Sequence, residues 1–119
     1  MARFPRRARL LKPAEFERVF KNGRRETVTN FIAVAALSDE GPRLGLAISR
    51  KQAALAVDRN RIKRQIRASF REAQGRLPAC DLVIMAKPQA KNLDSAAAVA
   101  DLNKLWNRVI QRWSASSLS

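Results

Sequence analysis

An α+β domain is what this sequence predicts, with elements in the order α-β-β-α-β-α, mostly antiparallel strands and helices flanking the sheet. Three observations predict it. Apolar residues recur at helical spacing in two long stretches, with Ile62, Ile66, Phe70 and Ala73 in one and Leu102, Leu105, Trp106, Val109, Ile110 and Trp113 in the other. Apolar runs of strand length, FIAVAAL at 31–37 and LVIMA at 82–86, stand apart from them and are far short of a membrane span. Proline and glycine fall at the joints between these segments.

Taken in order, the first helix begins at Pro13, a residue suited to a first helical position, and stops at Gly23. Phe16, Val19 and Phe20 give it one apolar face. Residues 28–37 (VTNFIAVAAL) read as a strand and SDEGP at 38–42 as a turn. In 43–49 (RLGLAIS), Leu44, Leu46 and Ile48 alternate with Gly45, Ala47 and Ser49, the period of a half-buried strand. These two strands are expected to form an antiparallel hairpin. A helix follows from near Ala56, with Asp58 in its first turn, to about Ala73, and Gly75 supplies its stop. Residues 81–87 (DLVIMAK) form a buried strand ended by Pro88, and Asp94 or Ser95 caps the last helix. The strand–helix–strand passage makes its two strands parallel if they are neighbours. Both tryptophans read as core. One domain is expected over 1–119, with a core at about 9–113, a basic N-terminal arm over 1–8 and a disordered tail over 114–119.

Charge points to the partner. Lysine plus arginine is 24 against 10 acids, a formal net charge of +14, and arginine outnumbers lysine 17 to 7. Such a chain repels itself when compact and seeks a polyanion. Arginine's planar fork grips phosphate and stacks on bases, which favours nucleic acid. The charge concentrates in RNRIKRQIRASFR at 59–71, where six of thirteen residues are cations and no acid interrupts them. Like charges four apart weaken a helix. On a helical wheel Asn60, Lys63, Arg64, Arg67 and Arg71 lie opposite the Ile62–Ile66–Phe70 face, so the helix has a core side and a cationic side. Asn60 is its neutral polar member, able to donate and to accept.

Several chemistries are excluded. With one cysteine, Cys80, and no histidine, the chain builds neither an internal disulfide nor a zinc site, and it has no imidazole acid or base. Cys80 precedes an apolar run and reads as a small core residue, which fits a reduced, cytoplasmic setting. The basic N-terminus lacks a hydrophobic signal core. The acids are scattered, with no paired motif for metal ions and no glycine-rich phosphate loop. The segment before Ala56 is the strand 43–49 and not the partner helix of a helix-turn-helix, so DNA is not the expected partner.

The stretch AVDRNRIKRQIRASFR at 56–71 resembles the signature of the bacterial ribonuclease P protein subunit. RLLKPAEFERVFKNGRR (9–25), PRLGLAISRK (42–51) and DLVIMAKP (81–88) resemble that family's other segments in the same order, so the likeness spans about 4–113. It implies the same element order with a left-handed strand–helix–strand crossover, against the general right-handed rule. It implies a protein that binds a catalytic RNA and the 5′ leader of precursor tRNA while the RNA and its Mg²⁺ ions cut the leader. Arg59, Asn60, Arg61, Lys63, Arg64, Arg67 and Arg71 match the helix that docks on the RNA. Phe16 and Phe20 match an aromatic pair in a leader cleft between the first helix and the sheet, with Arg50, Lys51 and Lys12 as flanking cations. The family often carries a further aromatic on the first strand where this chain has Val34, and Arg50 stands where lysine is more usual. The alternative is a ribosome-associated RNA-binding protein with no processing role.

Overall fold

The computed structural model describes residues 9, 10 and 12–118, with side chains described through Trp113. The basic arm expected over 1–8 lies outside the described residues. The elements are α1 (Pro13–Asn22), β1 (Arg24–Thr27), β2 (Phe31–Leu37), β3 (Arg43–Leu46), α2 (Ala56–Ala73), β4 (Cys80–Ala86) and α3 (Ser95–Leu118), with a short 3-10 turn at Pro88–Asn92 before α3.

The strands make one sheet in the order β1-β2-β4-β3. β4 takes the second central place because CDLVIMA is apolar at nearly every position, so it has a side chain to bury on both faces. The expected hairpin of 28–37 with 43–49 is therefore wrong. β2 pairs antiparallel with β4, β3 pairs parallel with β4, and β4 lies between them. The intervening loop must span two strand spacings, roughly 10 Å. It passes close over the start of β4, where Ser38 N donates to Ala79 O at 3.0 Å. A Cβ on Gly41 would lie 2.2 Å from Cys80 N, so only glycine lets the loop cross there. The parallel β3–α2–β4 passage stands as the sequence predicts.

β1 was not foreseen. RRET is three parts charge and carries no apolar alternation, and it forms through its turn into β2 rather than through burial. The turn at 28–30 is held from outside: Asn30 N donates to the buried Asp101 carboxylate of α3 at 2.8 Å, and Lys87 Nζ donates to Val28 O at 2.8 Å. The first core strand accordingly starts at Phe31, not at 28.

The two faces of the sheet are covered unequally. On one, Phe31, Ala33 and Ala35 of β2 and Leu82 and Ile84 of β4 meet Ile62, Ile66 and Phe70 of α2 and Leu102, Leu105, Trp106 and Val109 of α3. Trp106 is fully buried, donates Nε1–H to Ser69 Oγ at 2.8 Å and meets the Phe70 ring edge-on at 6.1 Å. On the other face α1 packs, with Val19 in a cluster with Val34, Val83 and Leu10. Burial, and secondarily the neighbouring Asp81 charge, push the Cys80 thiol up to about 12, so it stays protonated in the core.

Helix ends follow local chemistry. Asp94 Oδ1 accepts from Ala97 N at 2.8 Å and caps α3. α2 ends at Ala73 as expected, but Gly75 has no positive φ and an added Cβ there would meet open space, so the stop does not require glycine; the chain turns off where Leu77 N bonds back to Ala73 O and Leu77 tucks into the core. The backbone of α3 continues as helix to Leu118, past the point where a disordered tail was expected, because SASSL contains no helix breaker.

Candidate nucleic-acid interface

The cationic side of α2 divides into two groups. Arg59 and Arg61 are turned back onto the protein. Arg59 donates to Ala53 O and Ala54 O, both at 2.9 Å, bracing the segment that enters the helix. Arg61 donates to Leu93 O at 2.9 Å and to Lys91 O, and its guanidinium lies 3.9 Å from Asp58. The family resemblance implied both as RNA-facing, yet their charges are engaged in tying α2 to its neighbours. The side chains of the remaining five, Asn60, Lys63, Arg64, Arg67 and Arg71, make no hydrogen bond or ion pair with other described residues. Four of them are exposed and Lys63 is half-buried. They form a crest of unspent donors.

One flank of the crest is a groove of about 140 Å³, lined by Arg9, Leu10, Phe16, Leu44, Leu46, Lys63 and Arg67. It forms because residues 9 and 10 run parallel beside β3, with Leu10 N donating to Leu44 O at 2.8 Å. Phe16 reaches it across Gly45, where an added Cβ would lie 2.8 Å from the ring. The groove thus joins the helix crest to the aromatic helix, two surfaces that the sequence presented as separate. Phe20, one turn further along α1, is 46% exposed. Arg50 and Lys51 are exposed in the turn after β3, and Lys12 is exposed at the start of α1; none of the three lines this groove. Val34 is buried under α1 and offers no stacking surface. Arg9, Leu10, Leu44 and Leu46 were missed as lining residues, since only the register of residues 9–10 on β3 brings them there.

α1 is held in position by charge. Asp81, fully buried, accepts from Arg43 Nε at 2.7 Å and Arg43 Nη2 at 2.8 Å, and from Arg18 of α1. Arg43 also lies 3.1 Å from Glu15 of α1. The hydrogen bond to Asp81, with the acids around it and against the effect of burial, raises the Arg43 pKa above its ordinary value. Glu15 in turn accepts from Lys12 N at 2.9 Å, fixing the first turn of the helix.

A strongly basic α+β domain with an unpaired cationic crest and an aromatic groove beside it belongs to the class of proteins shaped to receive a polyanion. The family model for Ribonuclease P matches residues 4–110, and the chain belongs to that family. It is 44% identical to the ribonuclease P protein component of Idiomarina loihiensis, over 92% of this chain and 89% of that one. The Methylococcus capsulatus component is 45% identical, over 96% of this chain and 90% of its own. Among solved structures, the RNase P protein of Staphylococcus aureus superposes with a TM-score of 0.75 at 29% identity, covering 87% of this chain and 93% of that one. That of Thermotoga maritima gives 0.76 at 26% identity, covering 85% and 96%.

Proposed function

We propose that this chain is the protein subunit of a ribonuclease P holoenzyme, binding a catalytic RNA through the α2 crest and the 5′ leader of precursor tRNA along the Phe16 groove. The observation that carries this reading is the crest itself, where Lys63, Arg64, Arg67 and Arg71 are held side by side with no partner among the described residues. Holding such a row together is unfavourable until phosphates neutralise it and release their counterions. RNA's deep major groove hides its base edges, so the crest reads backbone and shape. The hydrolysis belongs to the RNA, whose phosphates hold the Mg²⁺ ions. Among the described residues no three His, Cys, Asp or Glu side chains cluster for a metal. The same reading places the protein in the cytoplasm. Among the described residues no helix is long and apolar enough to cross a membrane. Membership in the ribonuclease P family favours this role over that of a ribosome-associated RNA binder.

The test is cleavage of precursor tRNA by the matching catalytic RNA at low Mg²⁺, with and without this protein. The protein is expected to restore 5′ maturation that the RNA alone does not achieve. Unchanged cleavage alongside tight RNA binding makes it a structural RNA binder.

The leader groove has its own test. Single-stranded bases stack on aromatics at roughly 1–3 kcal/mol per base, with little sequence preference. Phe16→Ala and the more exposed Phe20→Ala are each expected to weaken holoenzyme binding of precursor tRNA about tenfold and to leave mature tRNA binding unchanged. Equal losses for both tRNAs would remove the leader from this groove. With Val34 buried, stacking here rests on α1, and the exposed Lys12, Arg50 and Lys51 supply charge along the leader's path.

A further inference from the structure

Glycine inside a strand costs stability, because it packs no side chain and loses the most chain entropy. Gly45 nonetheless lies within β3, buried and paired parallel with Val83 of β4. Its backbone does not require it, since no glycine among the described residues has a positive φ. The requirement is space. A Cβ on Gly45 would lie 2.8 Å from both Cε1 and Cζ of Phe16 and 3.1 Å from Cβ of Leu10. Carbons rest at roughly 3.5–4.0 Å from one another.

The two neighbours would yield differently. Leu10 is pinned by its backbone bond to Leu44 O and need give only a little. The Phe16 atoms are the far end of a side chain that turns about two torsions. An added methyl therefore moves the ring and leaves the sheet in place. To restore a contact of roughly 3.5 Å the ring must withdraw by about 0.7 Å. Binding groups have to be held within about 0.5 Å of their working position. Phe16 is half-buried and lines the groove of about 140 Å³ together with Lys63 and Arg67 of α2.

We propose that Gly45 is a positioning residue for the 5′ leader: its bare Cα lets the Phe16 ring lie directly against β3 and so sets the distance between the stacking ring and the groove's cations. The inference rests on the leader-groove reading above and adds to it a residue that touches no RNA. Gly45 acts wholly through Phe16. Because stacking on an aromatic is tolerant of sequence, displacing the ring weakens every leader alike.

The experiment measures precursor and mature tRNA binding by holoenzyme reconstituted with the matching catalytic RNA, for the unaltered protein, Gly45→Ala, Phe16→Ala and the double variant. Gly45→Ala is expected to weaken precursor tRNA binding about fivefold, with mature tRNA binding, catalytic-RNA affinity and melting temperature unchanged. Added to Phe16→Ala it is expected to cause no further loss, because the ring through which it acts is gone. Additive losses overturn the inference, and so do equal losses for the two tRNAs. A melting temperature that falls in Gly45→Ala and is not restored by adding Phe16→Ala overturns it as well, and makes the glycine a packing requirement between β3 and Leu10. If Gly45→Ala binds precursor tRNA as the unaltered protein does while Phe16→Ala loses it, the inference fails and the leader groove stands. If Phe16→Ala itself leaves precursor tRNA binding unchanged, the leader groove is wrong and the inference falls with it.

Discussion

Asp81→Ala is expected to lower folding stability by about 3 kcal/mol, read as a fall in the urea midpoint at unchanged slope. The carboxylate is fully buried and accepts from two arginines, one on the sheet and one on α1. Removing it leaves the Arg43 guanidinium, only 15% exposed, against an emptied site with Glu15 and Glu40 as its remaining partners. Breaking one side of a buried pair costs more than the pair ever contributed, because the surviving charge stays desolvated. Glu40, 74% exposed, touches the same arginine, and Glu40→Ala is expected to cost no more than about 0.5 kcal/mol. The Asp81 variant also tests position. Arg18 and Glu15 tie α1 to the sheet through this cluster, so a surviving Asp81→Ala fold should lose leader discrimination along with stability. A loss below about 1 kcal/mol would mean that Val19 and Leu10 hold α1 without help from charge.

The second large effect lies on the crest. The combined change of Arg64, Arg67 and Arg71 to alanine is expected to flatten the salt dependence of catalytic-RNA binding by about 2 units in the log–log slope, at roughly 0.7–0.9 for each phosphate no longer neutralised. Folding stability should hold or rise by a few tenths of a kcal/mol, since like charges four apart on α2 are relieved. Arg59→Ala and Arg61→Ala should behave oppositely. Each removes hydrogen bonds to backbone carbonyls and should cost about 1 kcal/mol of stability, with little change in the salt slope. If all five arginines behave alike, the division between braced and open cations on α2 has no energetic meaning.

That division was partly legible in the sequence. The wheel placed Ile62, Ile66 and Phe70 on the core side because helical period alone decides it, and all three are fully buried. The same wheel kept Arg59 and Arg61 off the arc of Asn60, Lys63, Arg64, Arg67 and Arg71, and only the family resemblance grouped all seven together. Arg61 finds its acceptors at Lys91 and Leu93, some thirty residues away around the 3-10 turn, and no local pattern announces that interaction. The hairpin failed for a related reason. Alternation in 43–49 marks a strand and its buried face, and α+β class with it, but strand order depends on which segment has two faces to bury. Here that is β4, the last strand in the chain. β1 escaped because RRET carries no apolar signal at all. For the aromatic pair, identity and spacing were legible, while the space under Phe16 depends on Gly45 and on residues 9–10 lying along β3, both features of the assembled sheet.

The position of residues 9 and 10 has a bearing on life before assembly. A protein of this kind is made without its RNA and must stay dispersed until it finds one. Exposed sheet edges are where chains of like sequence stick together. On one side Leu10 covers the outer rim of β3, so that margin is already paired in its own molecule. On the other, Arg24 and Arg25 stand exposed on β1, and two copies meeting there would crowd four arginines onto one seam. The chain thereby guards both margins of its sheet against its own kind, and the charge awaiting the RNA also acts as its solubiliser.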